Sequence, residues 1–378
     1  MTDKILRFQL MVLVTLLSTA VAVYSQGPVT GPPSGANQKS SVTQYMGLVS
    51  VTVTYNSPDV TAPDGTSREG AIWGQLVPYG MNNLGFGTAE ESPWRAGANE
   101  NTVITASHDI MVEGEKLPAG TYGLHMIVEP EEWTVIFNNV STAWGSYFYE
   151  PSEDVLRVKV KPVESEFTEW LTYGFEDRQL GSTTMTLEWE NLKVPIKISC
   201  EANDVYLTNI RQELQSTKGF SWQGWQSAAN YCLQNDINLE EALEWADRSI
   251  NAPFGVGTEN FTTLDTKAQI LDKLGRTQEA AELMAKAIDH PTTTMSQLHF
   301  YGRRLINEEK NEEAMKVFEL NRKRNPDDNF TTIVGLARGY QAVGKNKKAI
   351  ENYRLAAKNA PSGQASYYEG LAKQLEES

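Results

Sequence analysis

One short stretch of this sequence is more polar than its small-residue frame requires: Arg95-Ala-Gly-Ala-Asn-Glu100. A segment built on Gly97 and two alanines can approach a ligand closely, yet it carries a cation, an amide and a carboxylate. If Arg95, Asn99 and Glu100 converge with His125, and with Trp144 nearby, two kinds of chemistry follow. Arg95 would bind an anionic group, and Glu100 and a neutral His125 would share acid and base roles. The competing reading is structural, with Arg95 and Glu100 as an ion pair holding a loop and Asn99 capping a turn. Trp144, Tyr147, Phe148 and Tyr149 crowd a neighbouring segment. Exposed, such rings stack on sugars; buried, they pack.

The rest of the chain offers little other chemistry. The four histidines are His108, His125, His290 and His299, and the two cysteines are Cys200 and Cys232. They form no His-x-x-x-His or Cys-x-x-Cys pair, and there is no acidic calcium loop. His108 and His125 could meet across neighbouring strands, but as polar strand residues they need no metal. Nucleophile elbows, phosphate loops and dinucleotide fingerprints are likewise missing. No metal and no cofactor are expected. Two cysteines do not make a disulfide framework, and a pair or two buried thiols both fit them.

The elements that must position these residues change character along the chain. From Leu48 to Tyr55 the pattern has period two, with Val49, Val51, Val53 and Tyr55 on one face and Ser50, Thr52 and Thr54 on the other. The same alternation recurs at 122–128, 133–137, 156–161, 184–189 and 194–198, separated by Asn-, Pro- and Gly-rich turns. About ten strands and no helix favour an antiparallel β-sandwich or jelly roll. Leu117-Pro-Ala-Gly120 predicts a hairpin joining Ile110–Lys116 to Thr121–Val128.

Several motifs in this half agree with one family. They are Trp73-Gly-Gln-Leu-Val-Pro-Tyr79, Trp94-Arg-Ala-Gly-Ala-Asn-Glu100, Leu117-Pro-Ala-Gly-Thr-Tyr-Gly-Leu124, Trp133-Thr-Val-Ile-Phe137, Trp144-Gly-Ser146, Asp154-Val-Leu-Arg-Val158 and Glu169-Trp-Leu-Thr-Tyr173. In order and spacing this region, roughly Val42 to Ser199, resembles the bacterial domain of unknown function 2911 family. The resemblance implies a secreted or periplasmic β domain, often followed by helical repeats, with no established activity. The stretch Gly80 to Ser92 departs from it like an insertion.

Beyond Cys200 the period becomes helical and repeats. Ala280, Ala314 and Ala349 are 34 and 35 positions apart, each with a small residue twelve positions upstream: Ala268, Gly302 and Ala337. Leu271, Leu305 and Tyr340 fill the next helical contact, and Met284, Phe318 and Tyr353 follow each anchor by four. A weaker copy is anchored at Ala242 with Ala229, Leu233 and Ala246. This register resembles the tetratricopeptide repeat, whose first helices line a groove. Position by position the resemblance puts Asp265, Gln269 and Lys273, then His299, Arg303 and Asn307, then Arg338 and Gln341 on that groove. They would bind a protein or peptide partner, or form an ordinary solvated helix face.

The organisation expected is a signal peptide at 1–25, a flexible lead-in at 26–41, an all-β domain at 42–200 and helical repeats at 201–378. Lys4 and Arg7 precede the apolar run Leu10–Val23, which is too short to span a bilayer and ends in small residues before Ser25. An exported, periplasmic or extracellular protein with no spanning segment in its mature chain follows. The formal net charge is −15. Residues 26–200 carry 10 Lys+Arg against 22 Asp+Glu, a net −12, which disfavours nucleic acid as a partner. The resulting reading is a non-catalytic binding or scaffold protein of the cell envelope, its repeats meeting a protein and its β domain a ligand or partner. The alternative is a hydrolase-like enzyme acting on an envelope carbohydrate or peptide.

Overall fold

The structure, a computed structural model, describes residues 37–377. The expected signal peptide, 1–25, and lead-in residues 26–36 lie outside the described residues. The chain divides into two compact units at Thr208/Asn209. No helix among the described residues is long and apolar enough to cross a membrane.

Among its described residues the first unit holds ten strands: β1 (Gln38–Met46), β2 (Val49–Ser57), β3 (Thr102–Ala106), β4 (Ile110–Val112), β5 (Glu115–Leu117), β6 (Gly120–Ile127), β7 (Trp133–Asn138), β8 (Asp154–Val160), β9 (Val163–Glu176) and β10 (Ser182–Ser199). They form a six-stranded sheet, ordered β1-β2-β3-β6-β7-β8, and a four-stranded sheet, ordered β5-β4-β10-β9. All ladders are antiparallel. Alternation decides the faces. Val49, Val51, Val53 and Tyr55 of β2 enter one core with Leu171, Tyr173 and Phe175 of β9 and Met185, Leu187 and Trp189 of β10. Two antiparallel sheets sharing one apolar core make the sandwich expected. Within that core Trp73, Trp94, Trp133 and Trp189 meet; Trp73 lies 4.9 Å from Trp133 and 5.6 Å from Trp189, ring to ring.

Two local readings change. The hairpin expected at Leu117–Gly120 does not form. Glu113 and Gly114 both adopt positive φ, 49° and 87°, giving the two-residue turn that matches strand twist, so β4 pairs with β5. Pro118–Gly120 instead leads from β5 in one sheet to β6 in the other, held by Tyr122 Oη donating to the Pro118 carbonyl. The end of the supposed lead-in, from Gln38, is strand β1, paired over its length with β2. Its side chains are mostly polar because its outer face meets solvent.

The β core also takes in Val205 of the first helix, α1 (Ala202–Leu214), so the contact division falls after Thr208 and not at Cys200. The second unit continues with α2 (Trp222–Asn235), α3 (Leu239–Asn251), α4 (Phe261–Lys273), α5 (Thr277–Asp289), α6 (Met295–Asn307), α7 (Asn311–Arg324), α8 (Thr331–Ala342), α9 (Asn346–Asn359) and α10 (Ala365–Glu376). These pair as the repeat register requires, α2 with α3 through α8 with α9, and α10 packs on the last pair through Tyr368 and Ala372. The anchors Ala280, Ala314 and Ala349 are buried between paired helices, where only a small side chain fits. Phe318 of α7 is fully buried against Gly302 of α6 and Gly335 and Gly339 of α8. The unit is a tetratricopeptide-like stack. Both cysteines are free thiols.

Candidate functional site

Arg95 sits on the segment between the Trp94 bridge to β6 and the start of β3. Trp94 and Met126 exchange backbone hydrogen bonds of 2.8 and 2.9 Å, which fixes the segment's entry. Tyr173 Oη and Thr102 Oγ1 both donate to the Ala96 carbonyl at 2.9 Å, which fixes its middle. Asn99 takes a left-handed conformation, φ 57°, and its carbonyl accepts from Arg95 Nη1 at 2.9 Å. The guanidinium lies 5.6 Å from the Trp144 ring and 5.5 Å from the Tyr147 ring, and those two rings stack 6.1 Å apart. It packs on the backbone of Gly145, whose φ is +66° and where a Cβ would stand 2.8 Å from Nη1. Only glycine admits both.

Glu100 does not join Arg95. Its Oε2 accepts from Asn56 Nδ2 at 2.7 Å, and Asn56 is 1% exposed. The ion pair considered from the sequence does not form, because Asn56 at the end of β2 already offers the carboxylate a buried donor. Arg95 makes no ion pair with any described residue; its guanidinium meets the Asn99 carbonyl, the Gly145 backbone and the two rings.

His125, on β6, faces away from the main core, as its alternation with Leu124 and Met126 requires. It is nevertheless 2% exposed, because the 144–150 segment covers it. Its Nδ1 lies 2.9 Å from Ser146 Oγ, and its ring meets Tyr149 at 5.4 Å. Burial lowers its pKa to about 4, with Arg95 adding to the effect and Asp154 opposing it. The imidazole is therefore neutral at pH 7. Behind it the Tyr149 hydroxyl donates to Asp154 Oδ2 at 2.7 Å, and its own pKa is raised by burial and by that bond. Ser146, which sequence reasoning passed over, forms part of the wall of a cleft of about 110 Å³ that also includes Asn82, Leu84, Ser92, Trp94 and Arg95. A hydroxyl beside a neutral imidazole is a nucleophile–base pair in kind. A base with a pKa near 4 is poorly matched to activating serine near neutrality.

Exposed rings rim this region. Phe86 is 67% exposed, Trp144 55% and Phe148 45%, and Phe86 meets Tyr147 and Phe148 edge to face. Phe86 lies in the insertion-like stretch, so no motif pointed to it. His108 is placed apart, with Nδ1 on Ser107 Oγ at 2.9 Å.

In the helical unit the eight residues assigned to a groove divide. Asp265 binds Arg304 of the next repeat at 3.0 and 2.5 Å and accepts from Gln269 at 3.1 Å. Lys273 pairs with Asp236 at 2.7 Å, and Gln341 accepts from Tyr353 Oη at 2.7 Å. The Asp265–Arg304 and Lys273–Asp236 pairs join neighbouring repeats, and the Gln341–Tyr353 bond joins the two helices of one repeat. His299 is 9% exposed, packed on Phe318 and near Gly335, with no hydrogen-bond partner at Nδ1. Burial lowers its pKa to about 4, and Arg303 and Arg338 depress it further, which places both cations close by. Arg303 lies over Phe300, itself 62% exposed. Neither Arg303 nor Arg338 forms an ion pair among the described residues, and Asn307 is exposed near the end of α6. Arg304 was missed by the groove assignment, although its Asp265 partner was named.

Residues 37–198 match the model of a family described as protein of unknown function DUF2911. The β unit matches the DUF2911 family. The match stops just short of α1, so the helical repeats lie outside the DUF2911 region. No curated protein matches the chain. Among solved structures, YrrB, a TPR protein with an unusual peptide-binding site, is 15% identical over 44% of this chain and 84% of its own, with a TM-score of 0.30. A MamA structure from Desulfovibrio magneticus RS-1 is 17% identical over 43% of this chain and 92% of its own, TM-score 0.28. A MamA AMB-1 structure is 12% identical over 41% and 82%, TM-score 0.28. The repeat assignment itself rests on the helix pairs described above.

Proposed function

We propose that this is an exported, non-catalytic binding protein whose helical repeats hold a segment of a protein partner and whose DUF2911 domain holds a ligand beside Arg95. One observation carries the reading. In a chain of net charge −15, Arg95, Arg303 and Arg338 form no ion pair among the described residues, and each sits on a surface the sequence singled out. Guanidinium groups held in place without a carboxylate are suited to an incoming anion. An acidic or C-terminal peptide segment is the partner chemistry that Arg303 and Arg338 favour. The apolar run before Ser25 supports export.

The test is a comparison of cross-linked partners from the native host, using wild type and the Arg303→Glu/Arg338→Glu double variant. The reading expects a specific protein to be lost from the variant. An identical partner profile, with the variant folded by circular dichroism, would refute the repeat half of the proposal.

The contact between Ser146 and His125 favours a second reading, a hydrolase-like DUF2911 domain. It requires Ser146→Ala to abolish turnover of an ester or peptide bond while leaving ligand affinity intact. The low basicity of His125 places it second.

A further inference from the structure

The ligand's chemical class can be argued from the cleft beside Arg95, given the reading that the DUF2911 domain binds a ligand there. We propose that this cleft takes the single carboxylate of an acidic sugar residue, whose ring lies across Trp144 at the cleft's rim.

Arg95 has a planar fork of N–H donors, of which one Nη1 hydrogen goes to the Asn99 carbonyl. The Trp144 and Tyr147 rings and the Gly145 backbone hold that fork in position, so little ordering is lost on binding. A carboxylate accepts two parallel N–H bonds from such a fork. His125 behind Ser146 is neutral, leaving Arg95 as the one positive charge lining the cleft among the described residues. Residues 26–200 carry 10 basic against 22 acidic side chains, a net −12, which repels polyanions. One positive charge in that field suits one negative charge, not a polyphosphate or an anionic membrane.

Size and surface give the rest. The cleft, about 110 Å³, admits an end group but not a whole small molecule, for which roughly 300–1,000 Å³ is usual. The remainder of the ligand must lie outside the cleft, where exposed Trp144 stands against the Arg95 guanidinium and Phe86 and Phe148 join it through Tyr147. An apolar patch of this kind on an acidic domain marks a contact surface. A sugar presents a C–H face to an indole while its hydroxyls stay in water, so Trp144 can contact it without being enclosed.

The test is calorimetric titration of the full chain with three oligosaccharides, each bearing one glucuronate, one galacturonate or one N-acetylmuramate residue. The methyl ester of each, inorganic phosphate and benzoate serve as controls. At least one acidic sugar should bind, and its methyl ester should bind about 10- to 100-fold more weakly, the worth of a charge-assisted pair. Arg95→Lys, which keeps the charge and loses the fork, should weaken the acidic sugar about tenfold or more. Trp144→Ala, a change at an exposed ring, should weaken it by roughly 2- to 10-fold, the worth of an aromatic contact. Failure of all three sugars, or equal affinity for acid and ester, overturns the proposal. Phosphate or benzoate binding as tightly as the sugar, and lost in Arg95→Lys, overturns the sugar assignment but keeps a ligand site at Arg95. If nothing binds, the ligand-binding reading of the DUF2911 domain falls as well.

Discussion

Glu100 is the residue at which the two physical accounts of the polar loop give opposite numbers. The carboxylate can only accept, so its bond from Asn56 Nδ2 fixes the Asn56 amide, whose Oδ1 is then buried with no partner among the described residues. Glu100→Ala removes the acceptor and leaves both ends of a 1%-exposed amide unsatisfied. That should cost about 1–3 kcal/mol. Glu100→Gln behaves differently. It exchanges a charge-assisted bond for a neutral one, a loss of about 1 kcal/mol, but its own amide hydrogens can reach the orphaned Asn56 Oδ1 and return about as much. The net change for Glu100→Gln should therefore stay within about 1 kcal/mol. For a domain of this size each kcal/mol moves the melting temperature by roughly 2–4 °C. Near-ultraviolet circular dichroism melts of the full chain would measure this, with hydrogen exchange of the β2 peptides assigning the change to the β unit. If Glu100→Gln falls as far as Glu100→Ala, the charge itself holds the loop and the Asn56 account is wrong. A loss of more than about 3 kcal/mol in Glu100→Gln would restore the buried ion pair with Arg95.

Two further outcomes follow from the packing. His125 has a folded pKa near 4, below its ordinary 6.5, so the unfolded chain takes up the proton first. Its contribution is complete above about pH 6.5 and is lost as pH falls toward 4, at up to about 1.4 kcal/mol per unit; His125→Gln should flatten that slope, and an unchanged slope would show that the ring is already hydrated. Gly302→Ala would place a Cβ 2.6 Å from the Phe318 ring, which Gly335 and Gly339 wall in from the other side. The helical transition should drop by about 1–3 kcal/mol despite alanine's better helix propensity, with β-strand exchange unchanged; a neutral or stabilising result would mean that Phe318 has room to move.

Much of the architecture was legible because it depends on spacing. Anchors 34 and 35 residues apart, with Gly302 and its equivalents twelve positions upstream, can hardly arise except from stacked helix pairs. Alternation identified the strands whose one face is buried, such as β2. It missed β1, whose outward face is polar and whose pairing depends on the free edge of β2. It also misassigned the turn at Pro118, since proline and glycine mark a reversal equally well when the chain crosses between sheets. At the site, Arg95, Trp144 and His125 were visible as residue types in polar or aromatic segments. What they touch was not, because Asn56 lies 44 residues before Glu100 and Ser146 lies 21 after His125. Contacts at such separations leave no period in a single sequence.

The acidity of the chain turns that last difficulty into an argument. With 48 acidic and 33 basic residues, a half-buried guanidinium has many carboxylates to choose from, and several of the described arginines take one. Arg68 has Asp59, Arg157 has Asp154, Arg304 has Asp265 and Arg324 has Asp289. Arg178 and Arg322 donate to backbone carbonyls instead. Arg95 belongs with these, donating to the Asn99 carbonyl although Glu100 is only five residues away, because the fold gives Glu100 to Asn56 and turns Arg95 toward Trp144 and Tyr147. Removing a nearby carboxylate from an arginine costs Coulombic energy that a purely structural loop would have no reason to forgo. Its absence at Arg95, beside an open cleft, is the physical ground for placing the ligand's anionic group there.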